Sequence, residues 1–329
     1  MTHPHGGPDA MGVPRWDFST NANACGPSPM ALAAVRQADA AHYPDPQHTA
    51  LREALAGFHG VAVERIVIAA SASEFIARIS ASVARAGGQR AWLPALAYGD
   101  YAHAAQAWGL QRVNDPAQAD LLWLCEPSSP LGSAEAMASA VAQQGGVIVI
   151  DRAYEPLRLS GRCSLGAEAL DRLWQLWTPN KALGLTGVRG AYAIAPVQSQ
   201  EPARALERLA PSWPLGAHGV AMLRAWVRAD TQQWLTESLE RLRDWKAQQM
   251  ALLAGLGWTC LPSEANYFCA RAPVALDTPA LRAQGIKLRD TTSLGLPGHW
   301  RLGVRSPAAQ AALRDALQRA TLRCVEVSA

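Results

Sequence analysis

Short apolar runs separated by helical patterns fill the chain from about Tyr43 to Pro196. Six such runs are present, at 66–69, 91–93, 121–124, 147–150, 173–177 and 191–194. Because their apolar residues are not restricted to alternate positions, the runs predict strands that are buried on both faces. Strands of this kind that alternate with helices are typical of parallel βαβ units, in which functional residues gather at the carboxyl ends of the strands.

Helical patterns occupy the stretches between and after these runs. Residues 74–86 and 134–143 are rich in alanine, and each stretch follows polar or glycine residues suited to a helix start. From Pro214 to about Leu253, charged and apolar residues interleave as on a long helix that bridges two domains. The length of 329 residues also favours two domains.

Composition narrows the class of protein. Hydrophobic residues make up 49% of the chain and charged residues 17%, which excludes a disordered chain. The net charge of +3 comes from interspersed charges without a basic stripe, which argues against nucleic acid as a partner. The sequence shows no signal peptide and no membrane-length apolar run, so we expect a cytoplasmic protein. Its six cysteines form no C-x-x-C pair, so neither a zinc site nor a disulfide framework is expected.

The segment TPNKALGLTGVRGAY, from Thr178 to Tyr192, carries the strongest chemical signal. It follows a predicted strand and places Lys181 between a hydroxyl residue and Arg189. A lysine amine can form a Schiff base with an aldehyde. Arginine and threonine are suited to phosphate, because the guanidinium donates two hydrogen bonds at once and the hydroxyl adds another. An isolated lysine in a glycine-rich loop is more often a surface group. The residues around Lys181 must therefore determine whether it is a Schiff-base lysine or a surface lysine.

These residues resemble the lysine segment S-x-S-K-x-x-G-L-x-G-x-R of the fold type I pyridoxal-phosphate enzymes, in the class I/II aminotransferase superfamily. The resemblance implies that Lys181 holds pyridoxal 5′-phosphate as a Schiff base and that Arg189 binds its phosphate. Thr178 stands where the family has a phosphate-binding serine.

The run VIVIDRAY resembles the family motif D-E-A-Y and contributes two more residues. In the family the aspartate, here Asp151, keeps the nitrogen of the cofactor ring protonated, and the tyrosine, here Tyr154, donates to the ring oxygen O3′. A carboxylate at that nitrogen makes the ring an electron sink. The 30 residues from Asp151 to Lys181 leave room for one helix and a return strand.

Three further segments resemble family motifs that contact the cofactor. In PALAYGDY, Tyr98 is expected to stack on the ring, with Tyr101 behind it. Ala72 and Ser73, between a strand and a helix, are expected to offer backbone N–H groups to the phosphate. In Tyr43-Pro44-Asp45-Pro46, the family's tyrosine reaches the cofactor phosphate of the partner subunit, which implies a homodimer with shared sites.

One segment departs from the family. CEPSSPLG, from Cys125 to Gly132, stands where the family reads N-P-x-N-P-T-G, so Ser129 replaces an asparagine that donates to O3′. We expect the shorter serine hydroxyl to reach the ring only through a water molecule. This difference alters the expected electronics of the cofactor.

Segments near the two ends of the chain are predicted to bind the substrate, which we expect to be a small amino acid or amino-acid phosphate. DFSTNANACGP, from Asp17 to Pro27, resembles the threonine-phosphate decarboxylase branch of cobalamin synthesis, which lies near the histidinol-phosphate aminotransferases. HWRLGVRSP resembles a segment whose first arginine, here Arg301, holds the substrate carboxylate. A substrate phosphate would need further donors, for which we consider His5, Asn21 and Arg289.

Three functions remain open from the sequence. They are a threonine-phosphate decarboxylase, an aminotransferase of the histidinol-phosphate type, and a cofactor-binding relative with weak or lost catalysis, which Ser129 and Glu126 suggest. The resemblance covers nearly the whole chain and implies an α/β fold in two parts. We expect a large domain over 36–235 with a mostly parallel seven-stranded sheet flanked by helices. A small α+β domain would be formed by 1–35 and 236–329.

Overall fold

The computed structural model describes residues 6–327. Its strands, in chain order, are β1 (Trp16–Asp17), β2 (Ile66–Ala69), β3 (Arg90–Trp92), β4 (Gln111–Val113), β5 (Leu121–Cys125), β6 (Val147–Asp151), β7 (Trp174–Trp177), β8 (Ala191–Ile194), β9 (Thr259–Cys260), β10 (Tyr267–Arg271), β11 (Ile286–Lys287), β12 (Arg289–Asp290) and β13 (Trp300–Gly303).

The α-helices lie between and after these strands. They are α1 (Pro29–Arg36), α2 (Thr49–His59), α3 (Ala72–Arg85), α4 (Gly99–Ala107), α5 (Ala138–Val141), α6 (Ala167–Leu170), α7 (Gln200–Glu207), α8 (Ala217–Trp226), α9 (Ala229–Gly255), α10 (Thr278–Ala283) and α11 (Pro307–Val327). Within residues 6–327, no helix is both long and apolar enough to cross a membrane.

Seven strands form one sheet in the order β2-β8-β7-β6-β5-β3-β4. Neighbouring strands are parallel except for β8, which pairs antiparallel with both β2 and β7. The central strands β5 and β7 are buried at every residue, as expected for a sheet covered by helices on both faces. The predicted mostly parallel sheet is therefore confirmed.

A second sheet of four antiparallel strands, in the order β12-β13-β10-β9, lies in the carboxyl-terminal part of the chain. The N-terminal arm joins this part, because β1 pairs in parallel with β11. Helix α9 leads from one sheet to the other along the chain, and the boundary predicted at residue 235 falls inside it. The division at 36–235 remains a prediction.

Two helical predictions were wrong in extent. The pattern over 134–143 gives only α5, Ala138–Val141, because the segment before it bends back to the strand loops, where Glu135 N–H donates to Glu126. The long pattern after Pro214 is interrupted at residues 227–228 and gives two helices, α8 and α9. At the second start Asp230 accepts a hydrogen bond from Thr231 N–H, a local contact that favours a new helix.

Candidate active site

The carboxyl ends of the central strands open into a cavity of about 230 Å³, the place where ligands bind in open α/β sheets. Most of the residues predicted from the sequence line it: Asn21, Ala72, Ser73, Tyr98, Asp151, Tyr154, Thr178, Lys181, Arg189 and Arg301. Tyr43, Ser129 and Arg289 lie outside this lining, and His5 lies outside the described residues.

Asp151 ends β6 and is 5% exposed. Its Oδ2 accepts a hydrogen bond of 2.7 Å from the Tyr101 hydroxyl, and its Oδ1 accepts one of 2.8 Å from Ala153 N–H. Burial raises the pKa of Asp151, because a charged carboxylate loses hydration there. Burial also raises the pKa of Tyr101, so the phenol keeps its proton and remains a donor. A cation beside Asp151, such as a protonated ring nitrogen, would stabilise the carboxylate.

The loop that carries Lys181 is held by the N-terminal segment 21–28. Asn23 N–H donates to the Lys181 carbonyl at 2.9 Å. Gly184 has a φ of +67°, and a Cβ there would lie 2.9 Å from the Cα of Gly26. A larger residue would meet both left-handed strain and backbone overlap at this position. The first glycine of the lysine motif therefore allows the close approach that positions the loop.

Lys181 is the one lysine in this cavity. The sequence contains three, and the other two, Lys246 and Lys287, do not line it. Lys246 Nζ donates to two backbone carbonyls, and Lys287 Nζ pairs with Asp9 at 3.0 Å. Lys181 Nζ lies 4.9 Å from the centroid of the Tyr154 ring. The amine thus faces the residue predicted to contact the cofactor oxygen.

The start of α3 supplies backbone donors to the cavity. Ser71 caps the helix, and its Oγ accepts a hydrogen bond of 3.1 Å from Glu74 N–H. Ala72 and Ser73 are the first two residues of the helix. First-turn N–H groups have no acceptor within a helix and carry the positive end of its dipole, so they are suited to an anion.

Side chains on the two strands beside the lysine loop add donors. Thr178 follows β7 and is buried, and its Oγ1 donates to Asn180 Oδ1 at 3.0 Å. Arg189 precedes β8 and extends an exposed guanidinium to the cavity. Asn180 was missed in the sequence, although it stands next to Lys181 in the motif.

The aromatic residues and Asn21 make contacts that only the fold reveals. The Tyr98 ring meets the Tyr101 ring edge-on, with centroids 5.7 Å apart. Asn21 Nδ2 donates to the Tyr154 hydroxyl at 3.2 Å, while Asn21 Oδ1 is buried without a hydrogen-bond partner in the described chain. An unpartnered buried acceptor is costly, so a ligand donor at this oxygen would be stabilising.

Arg301 lies on β13 and is 9% exposed. Its Nη1 donates to Ser129 Oγ at 3.1 Å and its Nη2 donates to the Ser19 carbonyl at 3.3 Å, while Nε has no partner among the described residues. Ser129 thus holds the predicted carboxylate-binding arginine in this structure. The predicted contact of the Ser129 hydroxyl with the cofactor ring through a water molecule remains a prediction.

Arg289 lies directly opposite Arg301 in the antiparallel pair β12–β13. It is 7% exposed, and a guanidinium nitrogen donates to Ser293 Oγ at 3.0 Å. Burial and the charge of Arg301 lower the pKa of Arg289. Within residues 6–319, neither guanidinium pairs with a carboxylate, and of the two only Arg301 lines the cavity.

Arg305, the second arginine of HWRLGVRSP, has a structural role. Its guanidinium donates to the backbone carbonyls of Asp17, Thr20 and Ala22. Burial lowers its pKa to about 10. Arg305 therefore holds the N-terminal segment that forms one wall of the cavity, a role that the motif alone did not indicate.

Tyr43 lies on the surface and is 78% exposed. Its ring stacks on Trp213 with centroids 4.5 Å apart. It does not line the cavity of its own chain. This placement suits a side chain that reaches a partner subunit, and that contact remains a prediction.

The cavity fits pyridoxal 5′-phosphate. It offers Lys181 to the aldehyde, a buried carboxylate to the ring nitrogen, and helix N–H groups with Thr178 and Arg189 to the phosphate. A mostly parallel seven-stranded sheet with this set of groups at its carboxyl edge defines the fold type I class of pyridoxal-phosphate enzymes.

The model of the family "Aminotransferase class I and II" matches residues 15–319. The chain belongs to this family of enzymes, which use pyridoxal 5′-phosphate. The family, the fold class, the enzymatic nature and the cofactor predicted from the sequence are thereby confirmed.

Three similar proteins show how far the similarity extends. A histidinol-phosphate aminotransferase of Symbiobacterium thermophilum is 29% identical over 92% of this chain and 90% of the relative. The structure of the Sinorhizobium meliloti histidinol-phosphate aminotransferase in complex with pyridoxal-5′-phosphate is 23% identical, with a TM-score of 0.74 over 91% of this chain and 88% of that one. The L-threonine-O-3-phosphate decarboxylase of Porphyromonas gingivalis is 17% identical, with a TM-score of 0.67 over 88% and 91%. At these identities the two structures show a common fold only.

Proposed function

We propose that this enzyme is an aminotransferase of the histidinol-phosphate type, which exchanges an amino group between a phosphate-bearing amine and a 2-oxo acid. The observation that carries the proposal is Arg301, which is buried, lacks a carboxylate partner within residues 6–319 and lines the cavity of Lys181. The name of the 29% identical relative supports amino transfer over decarboxylation.

The arginine pair explains how one site would accept both substrates. Two buried guanidiniums without a counterion are costly, because each has lost hydration. A phosphate or a carboxylate that reaches Arg301 in the cavity offsets that cost with charge-assisted hydrogen bonds, and the charge of Arg289 adds to the attraction. The amine brings a phosphate and the 2-oxo acid brings a carboxylate, so each substrate in turn supplies the missing anion.

Lys181, Asp151 and Tyr154 would each have a separate role in holding or transferring a proton. When bound, the cofactor supplies a ring that accepts the electron pair released at the substrate Cα. Lys181 Nζ would be the base that removes the proton from the substrate Cα and returns it to the aldehyde carbon of the cofactor. Asp151, held by Tyr101, keeps the ring nitrogen protonated. Tyr154, held by Asn21, orients the oxygen substituent of the ring.

The active unit in this proposal is a cytoplasmic homodimer. Tyr43 is exposed and fixed against Trp213, and it would complete the phosphate site of the partner subunit. The cavity of one chain already contains donors for most of the phosphate, so the partner would add one hydroxyl.

Decarboxylation of threonine phosphate is the second candidate. The segment from Asp17 to Pro27 favours it, because this segment resembles the decarboxylase branch and lines the cavity through Asn21 and Ala22. The same Arg301 would then hold the carboxylate that is lost. The two reactions differ in which Cα bond stands perpendicular to the cofactor ring.

Two parallel assays with the holoenzyme decide between them. The first supplies L-histidinol phosphate and 2-oxoglutarate and measures glutamate, and the second supplies L-threonine phosphate and measures carbon dioxide. We expect glutamate in the first assay and no carbon dioxide above that of Lys181→Ala in the second. Carbon dioxide from threonine phosphate without glutamate in the first assay would overturn amino transfer.

A further inference from the structure

A second cavity, of about 420 Å³, lies beside edge strand β2 of the seven-stranded sheet. Ile68 of β2, the residues that begin α2 and the segment 204–214 form its walls. It shares no lining residue with the cavity of Lys181. Its volume is in the range of small-molecule sites, and the proposed function assigns it no role.

The lining of this cavity is positively charged. Four arginines contribute to it, and Glu207 is the one carboxylate among the lining residues. Glu207 is already paired with Arg52 at 2.7 Å. Arg208 pairs only with the exposed Glu201, and an exposed pair is weak and exchanges readily with solvent ions. Arg204 and Arg208 therefore present available positive charge at the mouth.

Two buried side chains that line the cavity carry nitrogen atoms without a hydrogen-bond partner among the described residues. His48 is 4% exposed, and neither of its ring nitrogens has a partner in the described chain. Arg78 is 5% exposed, and its Nη1 is likewise unpartnered, while its Nη2 donates to the Ile68 carbonyl at 2.7 Å and its Nε lies 2.9 Å from Glu74. Buried donors without acceptors are rare and costly. Both residues line the cavity, so a ligand with acceptor oxygens would satisfy them.

The start of α2 adds to the positive electrostatic potential of the second cavity. His48 is the N-cap of this 11-residue helix, and its side chain makes no capping hydrogen bond. The helix dipole places partial positive charge at this end. The guanidinium of Arg78, the imidazole of His48 and the start of a helix are each suited to phosphate oxygens.

From these groups we infer that the second cavity binds a small phosphate-bearing anion, separately from the cofactor and the substrate. Arg78 and His48 bind the phosphate at the buried end, while Arg204 and Arg208 bind further negative charge near the mouth. Free phosphate and a diphosphate share the recognised chemistry and differ in the contacts they reach. A diphosphate engages both ends, so it binds more tightly.

The test is calorimetric titration of the holoenzyme with inorganic phosphate, with pyrophosphate and with malonate. The test variant is the double substitution Arg204→Gln with Arg208→Gln. Its matched control is Arg172→Gln with Arg314→Gln, which removes the same charge from two other exposed ion pairs. Binding in the Lys181 cavity is the same in all three proteins, so any difference belongs to the second cavity.

We expect pyrophosphate to bind the parent more tightly than phosphate or malonate. The test variant should bind pyrophosphate about tenfold more weakly or worse, because charge-assisted contacts are lost, and the control should match the parent. A second variant, His48→Asn, tolerates the φ of +48° at this position and should also weaken binding.

Two results would overturn the inference. They are equal pyrophosphate affinity in the parent and the test variant, and no phosphate-class binding to the parent. If, in the second case, the test variant also dissociates into monomers, the cavity would be assigned to acidic side chains of a second copy. All outcomes are independent of which reaction the Lys181 site performs.

Discussion

At the scale of single residues, the proposed function depends on Arg301, a buried arginine that lines the cavity of Lys181. Arg301 donates to uncharged acceptors, the Ser129 hydroxyl and the Ser19 carbonyl, and its Nε is left unpartnered within residues 6–319. None of these contacts compensates a full charge. These contacts support the proposal that Arg301 binds a substrate anion.

Replacing Arg301 with glutamine should lower kcat/KM by about 100-fold for both the amine and the 2-oxo acid. Loss of hydrogen bonds to a charged group costs about 1.5–3 kcal/mol, and each substrate loses its anion contact. Steady-state kinetics with each substrate varied in turn measures this effect. Arg271→Gln, at an exposed position in the same sheet, is the control and should retain parental values. A loss for only one substrate would contradict a shared anion site.

Sequence motifs predicted Lys181 and Asp151, because each lies in a local pattern tied to a strand end. They did not predict the partners of Ser129 and Asn21. Ser129 is 172 residues from Arg301, and Asn21 is 133 residues from Tyr154. Such contacts depend on how the two sheets meet, which no short pattern encodes.

At the scale of elements, a buried ionic cluster joins the loop after β5 to the segment before β10. Arg158 pairs with Glu126 at 3.2 Å, with Glu155 at 2.8 Å and with Glu264. Glu126 is fully buried and also accepts hydrogen bonds from Ser164. Glu126 therefore has a structural role in this cluster. In the sequence, Glu126 was one of the two residues that suggested weak or lost catalysis.

Replacing Arg158 with methionine should lower the free energy of unfolding by about 3 kcal/mol. Breaking a buried pair leaves an uncompensated charge and costs about 3–5 kcal/mol, and the low end applies because Ser164 still binds Glu126. Urea unfolding of the holoenzyme measures the change. The control Arg172→Met breaks an exposed pair with Glu168 and should cost under about 1 kcal/mol. Equal losses in both variants would refute a special role for the cluster.

Six of the seven strands in the large sheet were predictable, because their residues are mostly apolar and buried, including those of the edge strand β2. The seventh, β4, was missed because Gln111 and Arg112 are exposed at the sheet edge. An edge strand that faces solvent lacks the continuous apolar run by which buried strands are recognised. The antiparallel direction of β8 could not be predicted from the sequence either, because a run of apolar residues indicates a buried strand but not its direction.

At the scale of the whole molecule, groups from both sheets meet in one cavity. Asp151 ends β6 of the large sheet, and Arg301 lies on β13 of the small one. The arm is fixed to this arrangement by the β1–β11 pairing and by Arg305. A homodimer would add Tyr43 of one subunit to the cavity of the other.

Mixed dimers test this shared site. Tyr43→Ala and Lys181→Ala subunits are each expected to have low activity alone. In a mixed dimer, one site combines both defects while the other receives native Lys181 and native Tyr43, so reassembly of the two should restore activity. About half of the dimers formed by random pairing are mixed. Activity that stays at the level of the separate variants after subunit exchange would place Tyr43 in its own chain or outside the site.

The covalent attachment of the cofactor tests the central claim most directly. The holoenzyme is reduced with borohydride, digested and mapped by mass spectrometry. We expect one pyridoxyl phosphate label, on the peptide that contains Lys181, and no label on Lys181→Ala. A label on Lys246 or Lys287, or a protein that retains cofactor without any reducible link, would contradict it.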